Sequence, residues 1–333
     1  EETGVVAARI AKGANKKIKK VTEADIHNGL VTLLGLGGST NALIHLTAIA
    51  GRLGVQIDLK KFNQISEKVP VLVNLKPSGT NYMEDFYYAG AMKAFLKEVS
   101  PFLKKGTTTI EGKLLSNVIK ENTKSFHDTE IIRTRKKPFE AKGGLVSLFG
   151  NICPKGAILK RSAADKSLFE TTGKAFVFDD IKEMAKLVDS PKLKISKNDI
   201  LVLKNIGPKT SYGMPEAGYL PIPKKLLKKG VKDMIRISDG RMSGTAFGTI
   251  ILHVSPESAV KGPFAAVQTG DKIKLSVKNK SLNLLISNAE LEKRLKKIKS
   301  KEPKISRGYL KLYYDTVTQA DEGCDFDFLK YKK

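Results

Sequence analysis

Apolar residues recur every three or four positions through the first third of the chain, and β-type runs take over later. Glu1 to Ile18 reads as part of a helix. Thr22-Glu23-Ala24-Asp25 resembles a capping box, in which hydroxyl and carboxylate each accept an orphan backbone N–H, and it opens an apolar helix over Ile26 to Leu34. Gly35, Gly37 and Gly38 break that helix. Ser39-Thr40-Asn41 can cap the next one, where Leu43, Leu46, Ile49, Ala50 and Leu53 return at helical spacing. Leu59 to Val69 predicts a short helix and Glu84 to Val99 another. Between them Val71 to Leu75 reads as a buried strand, stopped by Lys76-Pro77-Ser78-Gly79. Helix alternating with short strand predicts α/β architecture.

The pattern turns polar and charged between Lys124 and Lys142, where a domain boundary is expected. That divides the chain into an α/β portion over 1–130 and a second domain over 142–333. Strand-like runs follow at Leu145 to Phe149, Ala157 to Leu159, Ala175 to Phe178, Ile200 to Leu203, Met234 to Ile237, Thr249 to Val254 and Ile273 to Val277. Gly and Pro punctuate them, which predicts a β-rich, barrel-like domain. Leu291 to Lys299 reads as a basic, solvated helix and Tyr309 to Ala320 as a final helix.

Composition narrows the function classes. A chain of 333 residues with 41% apolar content can bury a substantial core. No apolar run reaches the roughly 18 to 20 residues that span a bilayer, so no membrane partner is expected. The net charge of +25 raises nucleic acid as a partner, but only nine of the 59 basic residues are Arg. Groove readers lean on Arg forks, whereas scattered Lys pairs such as Lys60-Lys61 and Lys224-Lys225 are solvated faces, so no nucleic-acid partner is expected. Cys153 and Cys324 lack metal-site spacing and read as buried, inert thiols in a reducing, cytoplasmic setting.

Candidate chemistry concentrates in two loops. Ser238-Asp239-Gly240-Arg241-Met242-Ser243-Gly244-Thr245 follows an apolar run and lets backbone and short side chains approach a small polar ligand. Gly207-Pro208-Lys209-Thr210-Ser211-Tyr212-Gly213-Met214-Pro215-Glu216 offers one carboxylate upstream. The plain alternatives are a turn hydroxyl at Ser243, a solvated carboxylate at Glu216 and an Asp239–Arg241 pair. Capping accounts for Ser39, Thr40 and Asn41, although a helix N-terminus can also hold a carboxylate. His45 is expected to be a structural, hydrogen-bonded histidine.

Gly37-Gly38-Ser39-Thr40-Asn41-Ala42, Asn74-Leu75-Lys76-Pro77-Ser78-Gly79, Gly150-Asn151-Ile152-Cys153-Pro154-Lys155-Gly156-Ala157 and the two loops above run in the order of the motifs of the IlvD/Edd dehydratase family. The chain resembles that family from near residue 1 to its C-terminus. Lys160-Arg161-Ser162-Ala163-Ala164, Leu220-Pro221-Ile222-Pro223-Lys224-Lys225 and the tail Gln319 to Leu329 look like its aldonate (pentonate) branch. Thr316 departs from that branch, where His is expected.

The resemblance implies a partial α/β domain followed by a swivelling, aconitase-like β-barrel domain. It implies a hydro-lyase that dehydrates an aldonate to a 2-keto-3-deoxy acid, the alternative substrate being the dihydroxy acid of branched-chain amino-acid synthesis. Ser243 would be the base, Thr245, Ser39, Thr40 and Asn41 would contact substrate, and Glu216 would bind Mg²⁺. An iron–sulfur cluster, [2Fe–2S] rather than [4Fe–4S], is implied, with no ligand in this chain. The family's ligand-bearing N-terminal segment would precede Glu1, so the chain is expected to be inactive by itself. A homo-oligomer, dimer or tetramer, is implied as well. The alternative of another class is a non-catalytic binding or assembly module.

Overall fold

The computed structural model describes residues 2–13, 20–121, 126–210, 220–243, 246–298 and 305–331. Helix α1 (Glu2–Ala11) ends at a turn short of Ile18, which lies outside the described residues. The capping box forms: Thr22 and Asp25 exchange side-chain and backbone bonds at the start of α2 (Glu23–Gly35). Ser39 caps α3 (Thr40–Arg52), and Asp58 caps α4 (Leu59–Ser66). The helix expected over Glu84 to Val99 is two, α5 (Met83–Tyr88) and α6 (Ala91–Val99), parted by Gly90 in the left-handed region. Helix α7 (Leu115–Glu121) completes this portion.

One expectation fails here. Val71 to Leu75, buried over its first three residues, belongs to no ladder; it makes single bridges from Val71 to Glu140, Val73 to Ile132 and Leu75 to Asn81. Its backbone groups find other partners: Leu72 N–H donates to Gly35, Asn74 N–H to Ile131, and Arg133 N–H to Leu72. The stretch is extended because it is buried and apolar, yet the segment opposite is too irregular to continue a sheet. Among the described residues, the first part of the chain is therefore helical, its core built from Leu30, Leu34, Leu43, Phe62, Leu72, Phe95 and Ile132. The α/β character comes from the later part.

That part is a closed eight-strand barrel in the order β1-β2-β6-β5-β4-β3-β7-β8. The strands are β1 (Val146–Gly150), β2 (Cys153–Leu159), β3 (Glu170–Phe178), β4 (Ile200–Leu203), β5 (Arg236–Ser238), β6 (Ile250–Ser255), β7 (Lys272–Ser276) and β8 (Ser281–Leu284). Strands β3 to β6 run parallel, and antiparallel pairs close the circle except for one parallel bridge between β1 and β8. Every residue of β4 is buried, with Ile200 and Val202 in one apolar cluster and Leu201 and Leu203 in another. A continuous apolar run with no alternation is what a strand covered on both faces requires.

Helices α8 (Ile181–Leu187) and α9 (Lys224–Leu227) sit between parallel strands, and the basic α10 (Asn288–Lys297) follows β8. Helix α11 (Tyr309–Thr316) is shorter than expected, since Val317 leaves it to bridge Phe326. The tail then straps the two parts together. Asp325 takes a two-pronged ion pair from Arg52 at the end of α3, both bonds 2.7 Å. Such a planar fork is directional as well as strong.

Candidate active site

Strands β4 and β5 lie parallel with Leu203 opposite Ser238. The segments beyond them, Lys204 to Thr210 and Asp239 to Ser243, therefore leave the barrel side by side. Loops at the C-terminal ends of parallel strands suit chemistry because a rigid sheet fixes their feet.

Two buried charged anchors hold those feet. Asp239 is fully buried, and its carboxylate accepts the backbone N–H groups of Asn205 (3.2 Å), Ile206 (3.1 Å) and Ser258 (2.9 Å). Burial pushes its carboxyl up, and those donors pull it back down. These three bonds tie the foot of the loop to the turn after β4 and to the start of the segment after β6. The second anchor is Arg236, also fully buried and paired with Asp233 at 3.0 Å. Its guanidinium donates to the carbonyls of Leu220 (3.2 Å) and Phe247 (2.8 Å). Asp233 accepts in turn from the Thr249 hydroxyl at 2.7 Å and its N–H at 2.8 Å. Gly248 threads between them at φ 105, where a Cβ would lie 2.1 Å from the Arg236 guanidinium. The Ser243 loop is thus held by Asp239 where it begins and by Arg236–Asp233 where it ends.

The fold brings several distant motifs onto this rim. Asn41, at the N-terminus of α3, donates its amide to the carbonyl of Met242 at 3.2 Å, one residue before Ser243 and 201 residues away in sequence. Its Oδ1 is buried with no hydrogen-bond partner among the described residues. Ser39 accepts the Asn41 N–H at 3.2 Å, and Thr40 is buried behind it. Ser78 and Ser162 meet hydroxyl to hydroxyl at 2.9 Å, joining the second motif to the Lys160–Ala164 segment. The Gly150–Ala157 motif instead builds the barrel: the Asn151 amide bonds Leu284 at 2.8 Å and pins the β1–β2 turn to β8. Ser243 is half-buried. Glu216 and Thr245 lie outside the described residues. His45 is exposed on α3, one turn beyond Asn41, and the hydrogen bond expected of it is not made among the described residues.

His253 was not flagged by the sequence. It is buried in β6 with φ 56, at a register shift against β2, and its N–H donates to Gly240 at 3.1 Å. Neither ring nitrogen has a hydrogen-bond partner among the described residues. Burial first, then the charges of Arg241 and His45, push the imidazole down to about 3. Unfolded, such a ring titrates near 6.5, so between about pH 6.5 and 3 the unfolded chain binds the extra proton. This group's contribution is complete above about pH 6.5 and fades as pH falls. Wild type should therefore lose about 2–3 kcal/mol more than His253→Asn between pH 6.5 and 4.5 in urea melts. Parallel pH profiles for the two proteins would remove His253 from the acid response.

Among the described residues no group of three or more His, Cys, Asp or Glu side chains is arranged to hold a metal ion. Burial holds both thiols up at about 12, so neither is a ready thiolate. No helix among the described residues is long and apolar enough to cross a membrane. A cleft of about 440 Å³ opens elsewhere, lined by Glu67, Glu140, Arg161, Phe169 and Val277. Its charges already pair with neighbours, as Arg161 does with Glu67 at 3.0 Å.

Comparison with known proteins follows the same layout. Residues 1–118 match the family described as dihydroxy-acid/6-phosphogluconate dehydratase, N-terminal, and residues 130–324 its C-terminal counterpart. The chain is 42% identical over 313 residues to 6-deoxy-6-sulfo-D-gluconate dehydratase of Pseudomonas putida, covering 93% of this chain and 54% of that protein. It is 43% identical over 320 residues to L-arabonate dehydratase of Azospirillum brasilense, with the same coverage of each. A dihydroxy-acid dehydratase of Caldicellulosiruptor bescii is 38% identical over 336 residues, covering 96% of this chain and 60% of that protein. The chain spans little more than half the length of these relatives.

Proposed function

The chain belongs to the dihydroxy-acid/6-phosphogluconate dehydratase family, and from that premise we propose that it carries the proton-abstracting side of a hydro-lyase site for a sugar acid. The observation that carries this reading is the Asn41 amide on the Met242 carbonyl, which docks the α3 N-terminus against the Ser243 loop. The higher identity to the sugar-acid relatives than to the dihydroxy-acid one favours an aldonate over a branched dihydroxy acid.

In the proposed reaction Ser243 takes the proton from C2 of a 2,3-dihydroxy acid. The C2–H electron pair forms the C2–C3 double bond as the C3–O bond breaks, and the departing hydroxide takes up one proton to leave as water, balanced when Ser243 gives up the proton it took from C2. The enol then tautomerises to the 2-keto-3-deoxy acid. A serine hydroxyl is a weak base unless its alkoxide is stabilised by positive charge. Glu216 is proposed as an oxygen donor to Mg²⁺, a hard cation that prefers carboxylate. This chain's residues supply position: Asp239 and Arg236 fix the Ser243 loop, and Asn41 sets its distance from α3. Asn41, Ser39 and Thr40 are proposed to contact substrate from this helix end. Thr245 is proposed to contact substrate beside Ser243.

The test is a panel of pentonates, hexonates and 2,3-dihydroxyisovalerate, with keto-acid formation followed in a full-length protein that includes the cluster-bearing segment, reconstituted with iron, sulfide and Mg²⁺. Turnover of a pentonate at least tenfold above the branched acid is expected. No keto acid from any of them would end the dehydratase reading.

A further inference from the structure

Glu257 is a buried carboxylate for which the proposed chemistry has no use. Its two oxygens accept the Lys209 N–H at 2.9 and 3.1 Å, and one of them also takes the Gln319 amide at 2.7 Å. Gln319 returns the contact, its Oε1 accepting the Glu257 N–H at 2.9 Å. The fit is close: a Cβ on Gly207 would lie 2.3 Å from Glu257 Oε2. Lys209 also sends its ammonium to the Asp315 carbonyl at 3.4 Å and over the Tyr314 ring at 5.3 Å. The turn after β4 is thus held from one side by Glu257 and from the other by the C-terminal tail.

Two ends of one loop are fixed this way. Lys209 precedes Glu216 by seven residues, and Leu220, which follows it by four, is held by Arg236. We propose that Glu257, clasped by Gln319, is a positioning residue for the Gly207–Thr210 turn, from which the chain leads on to Glu216, acting through the Lys209 amide. This role rests on the reading of Glu216 as a site residue; the clasp itself does not.

Facing Glu257 are Asp239 beyond β5, Lys209 beyond β4 and, in the tail, Gln319 and Cys324, the last of which also feels Asp321 and Arg241. Burial, then the charge of Asp239, push its carboxyl up to about 7. The Lys209 and Gln319 donors favour the ionised form, but burial and Asp239 outweigh them, so deprotonation as pH rises through about 7 loosens the clasp.

The experiment compares wild type with Glu257→Gln, Glu257→Ala and Gln319→Ala. Amide exchange of the 203–210 segment and the pH profile of pentonate turnover are read in the reconstituted protein. Glu257→Ala should speed Lys209 exchange at least tenfold and lower kcat at least tenfold, with KM changed less than threefold. Glu257→Gln keeps an acceptor, so it should restore exchange to within threefold and flatten the turnover step near pH 7. If Glu257→Ala does not fold, Gln319→Ala carries the same comparison with a smaller change. Unchanged Lys209 exchange rejects the clasp. Faster exchange with wild-type turnover rejects its role at the site. An inactive wild type sinks the dehydratase reading and the positioning role with it, while exchange still decides whether the clasp exists.

Discussion

Replacing Ser243 with alanine is expected to lower turnover about 10²- to 10⁴-fold, the usual contribution of a positioned proton-transfer group. KM should stay within a few-fold, because in the proposed role the lost hydroxyl acts on the C2 proton rather than on the carboxylate or the polyol chain. The fold should be unaffected. Ser243 is half-buried in a loop whose ends are secured by Asp239 and Arg236, so removing one oxygen leaves those anchors intact. Keto-acid formation under saturating substrate gives kcat, and a thermal melt gives the control. A variant within tenfold of wild type, equally stable, would take the base assignment away from Ser243.

Arg236→Met is the second large effect, and it is one of stability. Methionine fills part of the volume but leaves Asp233 buried without its cation and the carbonyls of Leu220 and Phe247 without a donor. Breaking a buried ion pair from one side costs about 3–5 kcal/mol, more than the pair itself contributes. The urea midpoint should fall accordingly. The double variant Arg236→Met with Asp233→Asn should recover a sizeable part, since the stranded charge is gone. Loss of less than 1 kcal/mol in the single variant would mean that water reaches this pair and that it does not anchor the loops.

How much of this was legible in sequence varies with the physical signal. The capping box at Thr22 and the buried run Ile200 to Leu203 were readable because each is a local pattern with a local cause. Strand β8 was missed because Ser281-Leu282-Asn283-Leu284 holds only two apolar positions, and its partner across the sheet supplies the rest. Val71 to Leu75 looked like a strand because burial and β-branching describe the residues, while pairing depends on a segment some sixty residues on. The Ser243 loop stood out through its glycines and hydroxyls. The side chains that hold it did not: Arg236 reads as one more charge in a basic chain, and Glu257 as one more surface carboxylate. Neither its burial nor its donors can be seen before the barrel closes.

The strap at the tail also orders events during synthesis. The Arg52–Asp325 fork joins residues 273 apart, and Gln319 reaches Glu257 from 62 residues downstream. Contacts so distant along the chain come at a high cost in loop closure until the intervening parts have collapsed. As a ribosome delivers the polypeptide, the barrel can therefore assemble with its rim still open. The turn at Lys209 gains the Gln319 side of its clasp only once residues near 325 have emerged. A stalled or clipped product would be a well-formed barrel with an unfinished catalytic edge.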